Sequence, residues 1–175
     1  MALKPRQPVP ALEFDTVGGG RWSLAKQQPK NFTMVVFYRG LHCPICQRYT
    51  SELNGMIEDY AKRGVSAVIT STDSKERAEE AKKKWGLPNL TVGYGVSIDK
   101  AREWGLFVST SRGMTSAGVE EPALFAEPGL FLVKPDGTLY WGSVSTMPFA
   151  RPHFTDIAGA IDFAVSKNYP ARGEA

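Results

Sequence analysis

Apolar and polar residues alternate at Leu12 and Phe14 and again at Trp22 and Leu24, with Gly18-Gly19-Gly20 between them to turn the chain. This is the pattern of a β-hairpin. Residues 1–10 carry three prolines and read as an extended arm leading into it. Residues 31–38 form a continuous apolar and β-branched run, as expected of a strand buried on both faces. The period then becomes helical: Ile45, Tyr49, Leu53, Met56, Ile57 and Tyr60 share one stripe, with Lys62 and Arg63 in the last turn and Gly64 to end it. Pro44 falls in the first turn, where its missing N–H breaks no hydrogen bond. Residues 65–70 predict a second buried strand. Asp73 with Glu76 resembles a capping box, opening a helix whose narrow stripe is Ala78, Ala81 and Trp85, closed by Gly86. Residues 90–94 predict a third strand, and Ser97 caps a short helix running to Trp104 and stopping at Gly105.

Residues 106–127 show no period, because Gly113, Gly118 and Pro122 interrupt it. A loop this long in a compact domain either covers a site or partner surface or holds irregular structure of its own. Residues 129–133 and 138–144 then read as an antiparallel pair turned at Pro135-Asp136-Gly137. Ile157, Ala160, Ile161, Ala164 and Val165 place a last helix against the sheet, ended by Asn168 and Pro170. The stretch Phe149-Ala-Arg151-Pro152 is read as the start of that helix in preference to a site contact. The order of elements predicts an α/β fold, a central mixed sheet with helices on both faces and an N-terminal β-hairpin.

Composition narrows the possibilities. At 175 residues the chain suits one domain over 1–175, and 42% hydrophobic with 22% charged residues argues against disorder. The net charge is +3 and the pI about 8.9. Acidic and basic residues are interleaved except at Lys82-Lys83-Lys84, which reads as a solvated helix face, so no nucleic-acid partner is expected. There is no apolar signal segment at the N-terminus and no apolar run of membrane-spanning length, so no membrane partner is expected and the default location is cytoplasmic.

The chemistry concentrates in His42-Cys43-Pro44-Ile45-Cys46, which holds the only two cysteines. Strand, turn and helix start follow one another here, so the sulfurs meet the free N–H groups and positive dipole end of a helix, which favour thiolate. In a reducing compartment such a pair reads as catalytic, metal-binding or incidental. Zinc would need a second pair of ligands, and the only other histidine, His153, is remote in sequence, so no metal and no cofactor are expected. Haem attachment would need a histidine where Gln47 stands. Two inert buried cysteines remain the bland reading, opposed by the helix start. His42, if protonated, and Arg39 would lower the thiol pKa further; His42 as a solvent-exposed loop residue is the alternative. Tyr49 and the four tryptophans read as core or interface aromatics.

On these residues, together with Phe37-Tyr38 and the hairpin Phe131-Leu-Val-Lys-Pro-Asp-Gly-Thr138, the chain resembles the peroxiredoxin-like branch of the thioredoxin superfamily over residues 8–168. This is the alkyl hydroperoxide reductase/thiol-specific antioxidant, or redoxin, family. The resemblance implies a thioredoxin-like fold, a thiol-dependent antioxidant oxidoreductase, and a homodimer. Peroxiredoxins carry Pro-x-x-x-Thr/Ser-x-x-Cys and a distant arginine. Here the peroxidatic cysteine matches Cys46, whereas the threonine position is Cys43, the proline position Arg39 and the arginine position Pro128. A peroxidase would therefore need Arg39 or Arg48 as a substitute. Thioredoxin-type enzymes instead need Cys-x-x-Cys and a cis-proline opening a facing strand, and Pro128 before residues 129–133 occupies that place, so Glu127-Pro128 is predicted cis.

These patterns predict a thiol-disulfide oxidoreductase in which an exposed Cys43 attacks and Cys46 resolves, supported by Pro128, Arg39, His42 and Pro44. Its partners would be an oxidised thiol, disulfide or hydroperoxide and an external thiol reductant. The alternatives are a two-cysteine peroxidase with Cys46 peroxidatic, and a redox-regulated binding protein without turnover.

Overall fold

The computed structural model describes residues 3–175. Its frame is a seven-stranded sheet in the order β2-β1-β5-β4-β3-β8-β9. The strands are β1 (Glu13–Thr16), β2 (Arg21–Ser23), β3 (Phe32–Phe37), β4 (Val65–Thr70), β5 (Thr91–Tyr94), β8 (Gly129–Val133) and β9 (Leu139–Val144). The remaining two, β6 (Val108–Thr110) and β7 (Leu124–Ala126), form a separate antiparallel pair. The helices are α1 (Pro44–Lys62), α2 (Lys75–Trp85), α3 (Ile98–Glu103) and α4 (Phe154–Ser166).

β3 lies at the centre, parallel to β4 and antiparallel to β8. All six of its residues are buried, and the two-residue period divides them between two cores. Phe32, Met34 and Val36 join the cluster formed with Leu53 of α1, Ala78 and Trp85 of α2 and Ile157 of α4. Val35 and Phe37 face the other way, toward Leu12, Phe14, Trp104 and Phe131. Helices therefore cover both faces, three on one side and the short α3 on the other. The N-terminal hairpin is present as β1–β2, with Phe14 stacked on Trp22 at 4.8 Å between ring centres.

Several expectations are corrected. α2 is capped by Ser74, whose hydroxyl accepts from the Arg77 N–H, while Asp73 turns inward. In its described part the arm over 1–10 is joined to the sheet: Pro8 bridges Thr138, and Arg6 and Gln7 exchange backbone hydrogen bonds with Leu139. In α4 the buried positions include Phe154 and Ala158, whereas Ala160 and Val165 are exposed. Segment 106–127 contains the β6–β7 hairpin, with Leu106, Phe125 and Ala126 buried. Among the described residues no helix is long and apolar enough to cross a membrane.

Candidate active site

β3 delivers the chain to the dithiol through Tyr38-Arg39-Gly40-Leu41-His42. Gly40 sits at φ +138, and a Cβ there would lie 2.7 Å from an oxygen of Asp73. The position is glycine because a buried carboxylate presses on it, and that carboxylate accepts the Leu41 N–H at 2.7 Å. Arg77 holds the other Asp73 oxygen at 2.9 Å, so the turn is tied to α2.

Cys43 is the N-cap of α1, with Pro44 just inside the helix, as its ring favours. The Cys43 sulfur accepts the Cys46 N–H at 3.2 Å, the place a capping oxygen usually fills. Its thiol pKa is pulled down to about 7, chiefly because the Cys46 thiol donates to it, then by that N–H and by the charge and hydrogen bond of Arg39, all against the penalty of burial. Cys46 behaves oppositely: burial, the hydrogen bond it gives and the charge on Cys43 push its pKa well up, with Arg151 pulling the other way. Both cysteines are free. The pair thus loses its first proton from Cys43, while Cys46 keeps its own.

The expectation of an exposed Cys43 is wrong: Cys43 is 1% exposed and Cys46 0%. Residues 106–127 pack against the loop that precedes the sulfurs. Arg39, whose charge acts on Cys43, lies over the Phe125 ring at 4.8 Å and pairs with Glu127 at 3.1 Å and Glu121 at 3.5 Å. The Arg39–Glu127 contact is close but poorly aligned, an ion pair without a hydrogen bond. Glu127 in turn accepts from Ser109 at 2.6 Å, and Glu121 from the Arg112 N–H at 2.7 Å. A half-buried cation therefore pins the β6–β7 hairpin to the dithiol loop.

His42 is also corrected. It is 0% exposed, packed edge-on against Phe125 at 4.6 Å, and its Nδ1 lies 3.3 Å from the Arg77 guanidinium. Burial, with Arg39 and Arg77 beside it, lowers its pKa to about 4. It is therefore neutral at pH 7 and adds no charge to the thiols. Because Arg77 can only donate, Nδ1 is the acceptor and Nε2 carries the hydrogen.

Pro128 stands buried at the head of β8, and no peptide bond among the described residues is cis. The predicted cis Glu127-Pro128 bond is thus trans. The chain enters β8 extended, with Glu127 N–H bonded to Phe107 and Pro128 C=O accepting from Ser145, so no tight turn demands the less stable isomer.

Arg151 is the residue that sequence reasoning underweighted. It precedes α4 instead of starting it, and its Nη2 lies 3.7 Å from the Cys46 sulfur. Its guanidinium carbon stands 4.0 Å over the Tyr49 ring, and Nε donates to Pro148 at 2.7 Å. Tyr49, half-buried, donates its hydroxyl to Pro152 at 2.7 Å. Arg151, Tyr49 and Pro128 line one small crevice of about 10 Å³, room for about one oxygen atom. Arg48 is exposed and takes no part. Among the described residues no three His, Cys, Asp or Glu side chains cluster as a metal would require.

The sequence model of the AhpC/TSA family matches residues 5–141. No curated protein sequence matches the chain. Among solved structures, peroxidoxin BcpB from Mycobacterium tuberculosis aligns with a TM-score of 0.71 at 18% identity, over 93% of this chain and 98% of that one. The reduced 2-Cys peroxiredoxin of Plasmodium vivax gives 0.75 at 16% identity, over 97% and 85%. AhpC of Enterococcus faecalis gives 0.72 at 15%, over 96% and 97%. At such identities the likeness is one of fold, which here is thioredoxin-like.

Proposed function

The chain belongs to the AhpC/TSA family of thiol-dependent oxidoreductases, and within it we propose a thiol-disulfide oxidoreductase with antioxidant character in which Cys43 attacks and Cys46 resolves. The observation that carries this reading is the placement of the Cys43 sulfur as helix cap, receiving the Cys46 N–H, with its thiol acidity brought to about 7. At neutral pH about half of such a thiol is thiolate, against a few per cent for an ordinary cysteine.

In the first step the Cys43 thiolate attacks a sulfur of a disulfide or the terminal oxygen of a hydroperoxide. The S–S or O–O bond breaks, and the leaving thiolate or alkoxide takes its electron pair and a proton from water. Cys46 then attacks the Cys43 sulfur of the mixed disulfide or sulfenic acid, expelling the second thiolate or water. Two electrons have passed to the substrate, and two equivalents of an external thiol restore the dithiol. Because both sulfurs are buried, a small oxidant reaches them with least rearrangement, whereas a bulky disulfide needs residues 106–127 or 145–152 to move.

The supporting residues divide by environment. Arg39 supports the thiolate, Pro44 starts the helix that polarises it, His42 is a neutral packing partner, and Pro128 shapes the crevice beside Arg151. One domain over 1–175, a reducing cytoplasmic setting and a homodimer complete the reading. The dimer would use the edge strand β9, whose start at Leu139 is bonded to the N-terminal arm.

A second reading is favoured by one contact, Arg151 beside Cys46, which would suit a peroxidase with Cys46 attacking first. Disulfide reduction and hydroperoxide consumption, assayed with a thiol reductant for wild type, Cys43→Ser and Cys46→Ser, separate the two. Loss of both activities in Cys43→Ser, with a single turnover retained in Cys46→Ser, supports the first reading. Loss of hydroperoxide consumption in Cys46→Ser alone supports the second. A wild type inactive in both assays would favour a redox-regulated binding protein.

A further inference from the structure

Resolution demands that Cys46 become a thiolate in a site from which water is excluded, where an isolated charge is costly. The titratable groups that face Cys46 are Cys43, Tyr38, Tyr49 and Arg151, with Arg39 contributing its backbone N–H and, from further off, the charge of its guanidinium. Neither tyrosine can assist as a base, since burial pushes both hydroxyl pKa values above the ordinary phenol. His42 is turned to Arg77. Arg151 is the one cation whose side chain reaches the Cys46 sulfur.

We propose that Arg151 is the catalytic cation of the resolving step, taking the negative charge of Cys46 once substrate has consumed the charge on Cys43. Three features prepare it. Its orientation is fixed by the Tyr49 ring and by the Pro148 carbonyl. It has no carboxylate partner among the described residues, unlike Arg39, which has two. Its Nη1 is buried without a hydrogen-bond partner. The guanidinium therefore has charge and a donor free for an anion.

This inference rests on Cys43 attacking first, and it explains the order of events. While Cys43 is a thiolate, it holds the Cys46 proton by hydrogen bonding and its charge opposes a second one. When Cys43 becomes a mixed disulfide, both influences vanish, and Arg151 remains the cation whose side chain touches the Cys46 sulfur. Cys46 gives up its proton, its sulfur bonds to Cys43, the bond from Cys43 to the substrate sulfur breaks, and the departing thiolate carries off the electron pair and a proton. Cys46 is thereby held back until it has a target.

The test uses dithiodipyridine, a small neutral disulfide whose two thiopyridone products are released in turn, the first by the attack on substrate and the second by resolution. Wild type, Arg151→Met and Arg151→Lys would be followed in single turnovers across pH, with thermal unfolding to verify folding. In Arg151→Met the first release is expected to keep its wild-type rate and pH profile, while the second slows about tenfold or more at neutral pH and its midpoint moves up. Arg151→Lys, which keeps the charge, is expected to recover most of the second release and show that packing alone is not responsible. A second release unchanged in Arg151→Met overturns the proposal, as does equal slowing of both releases. Loss of the first release in Cys46→Ser overturns instead the reading on which the proposal rests.

Discussion

Cys43 and Cys46 stand one helical turn apart, and their surroundings drive their acidities in opposite directions. Cys43 caps the helix and receives its free N–H, whereas Cys46 lies inside the first turn with its own carbonyl bonded to Thr50. Each has a guanidinium, but the two cations differ. Arg39 is held by Glu121 and Glu127 and fastens residues 106–127 to the dithiol loop, so much of its charge serves the fold. Arg151 is held by an aromatic face and a carbonyl, with no acid, so its charge remains available. The difference teaches that motif spacing alone does not set reactivity within a Cys-x-x-Cys pair; the segments that reach it from elsewhere in the chain do.

The largest disturbance of this contrast is expected on the Arg39 side. Arg39→Met leaves two buried carboxylates without a cation, a loss of roughly 3–5 kcal/mol measurable by urea unfolding. It should also raise the Cys43 midpoint above about 7, read by thiolate ultraviolet absorbance. An unfolding free energy within 1 kcal/mol of wild type would show that the ion pairs do not hold the hairpin.

His42 comes next. Its folded pKa of about 4 lies below the usual 6.5, so between those values the unfolded chain binds more protons and stability rises with pH. Acidification through this window should remove roughly 3 kcal/mol, and His42→Phe should flatten that part of the curve. An unchanged slope in His42→Phe would assign the acid lability to other groups.

The smallest effect is expected beneath Arg151. Tyr49→Phe keeps the ring but loses the hydrogen bond to Pro152, costing about 1 kcal/mol in thermal unfolding while leaving resolution close to wild type. Tyr49→Leu removes the face itself and should slow resolution in the same sense as Arg151→Met. Normal resolution in Tyr49→Leu would mean that the ring does not position the guanidinium.

The regular elements were legible because their signals are local. The two-residue split of Phe32, Met34 and Val36 from Val35 and Phe37, and the stripe from Ile45 to Tyr60, are consequences of strand and helix geometry that any neighbour must respect. The dithiol was legible for the same reason, since a sulfur at a helix start is a local fact. Residues 106–127 were not, because three-residue strands carry no period and their anchors, Glu121 and Glu127, meet Arg39 only through space. Arg151 was undervalued on similar grounds, being 105 residues from the sulfur it reaches. Asp73 misled as a cap because an acid before a helix signals capping, whereas here Gly40 leaves room to bury it. The cis assignment at Pro128 carried over a feature of a related pattern whose backbone context this chain does not share.

The central claim, that the reactive charge sits on Cys43, is tested most directly by alkylation of the reduced protein with iodoacetamide across pH, each cysteine being quantified by peptide mass. The account predicts that Cys43 is labelled first with a midpoint of about 7, and Cys46 scarcely at all below the pH range of ordinary thiols. Labelling of Cys46 before Cys43 would contradict it.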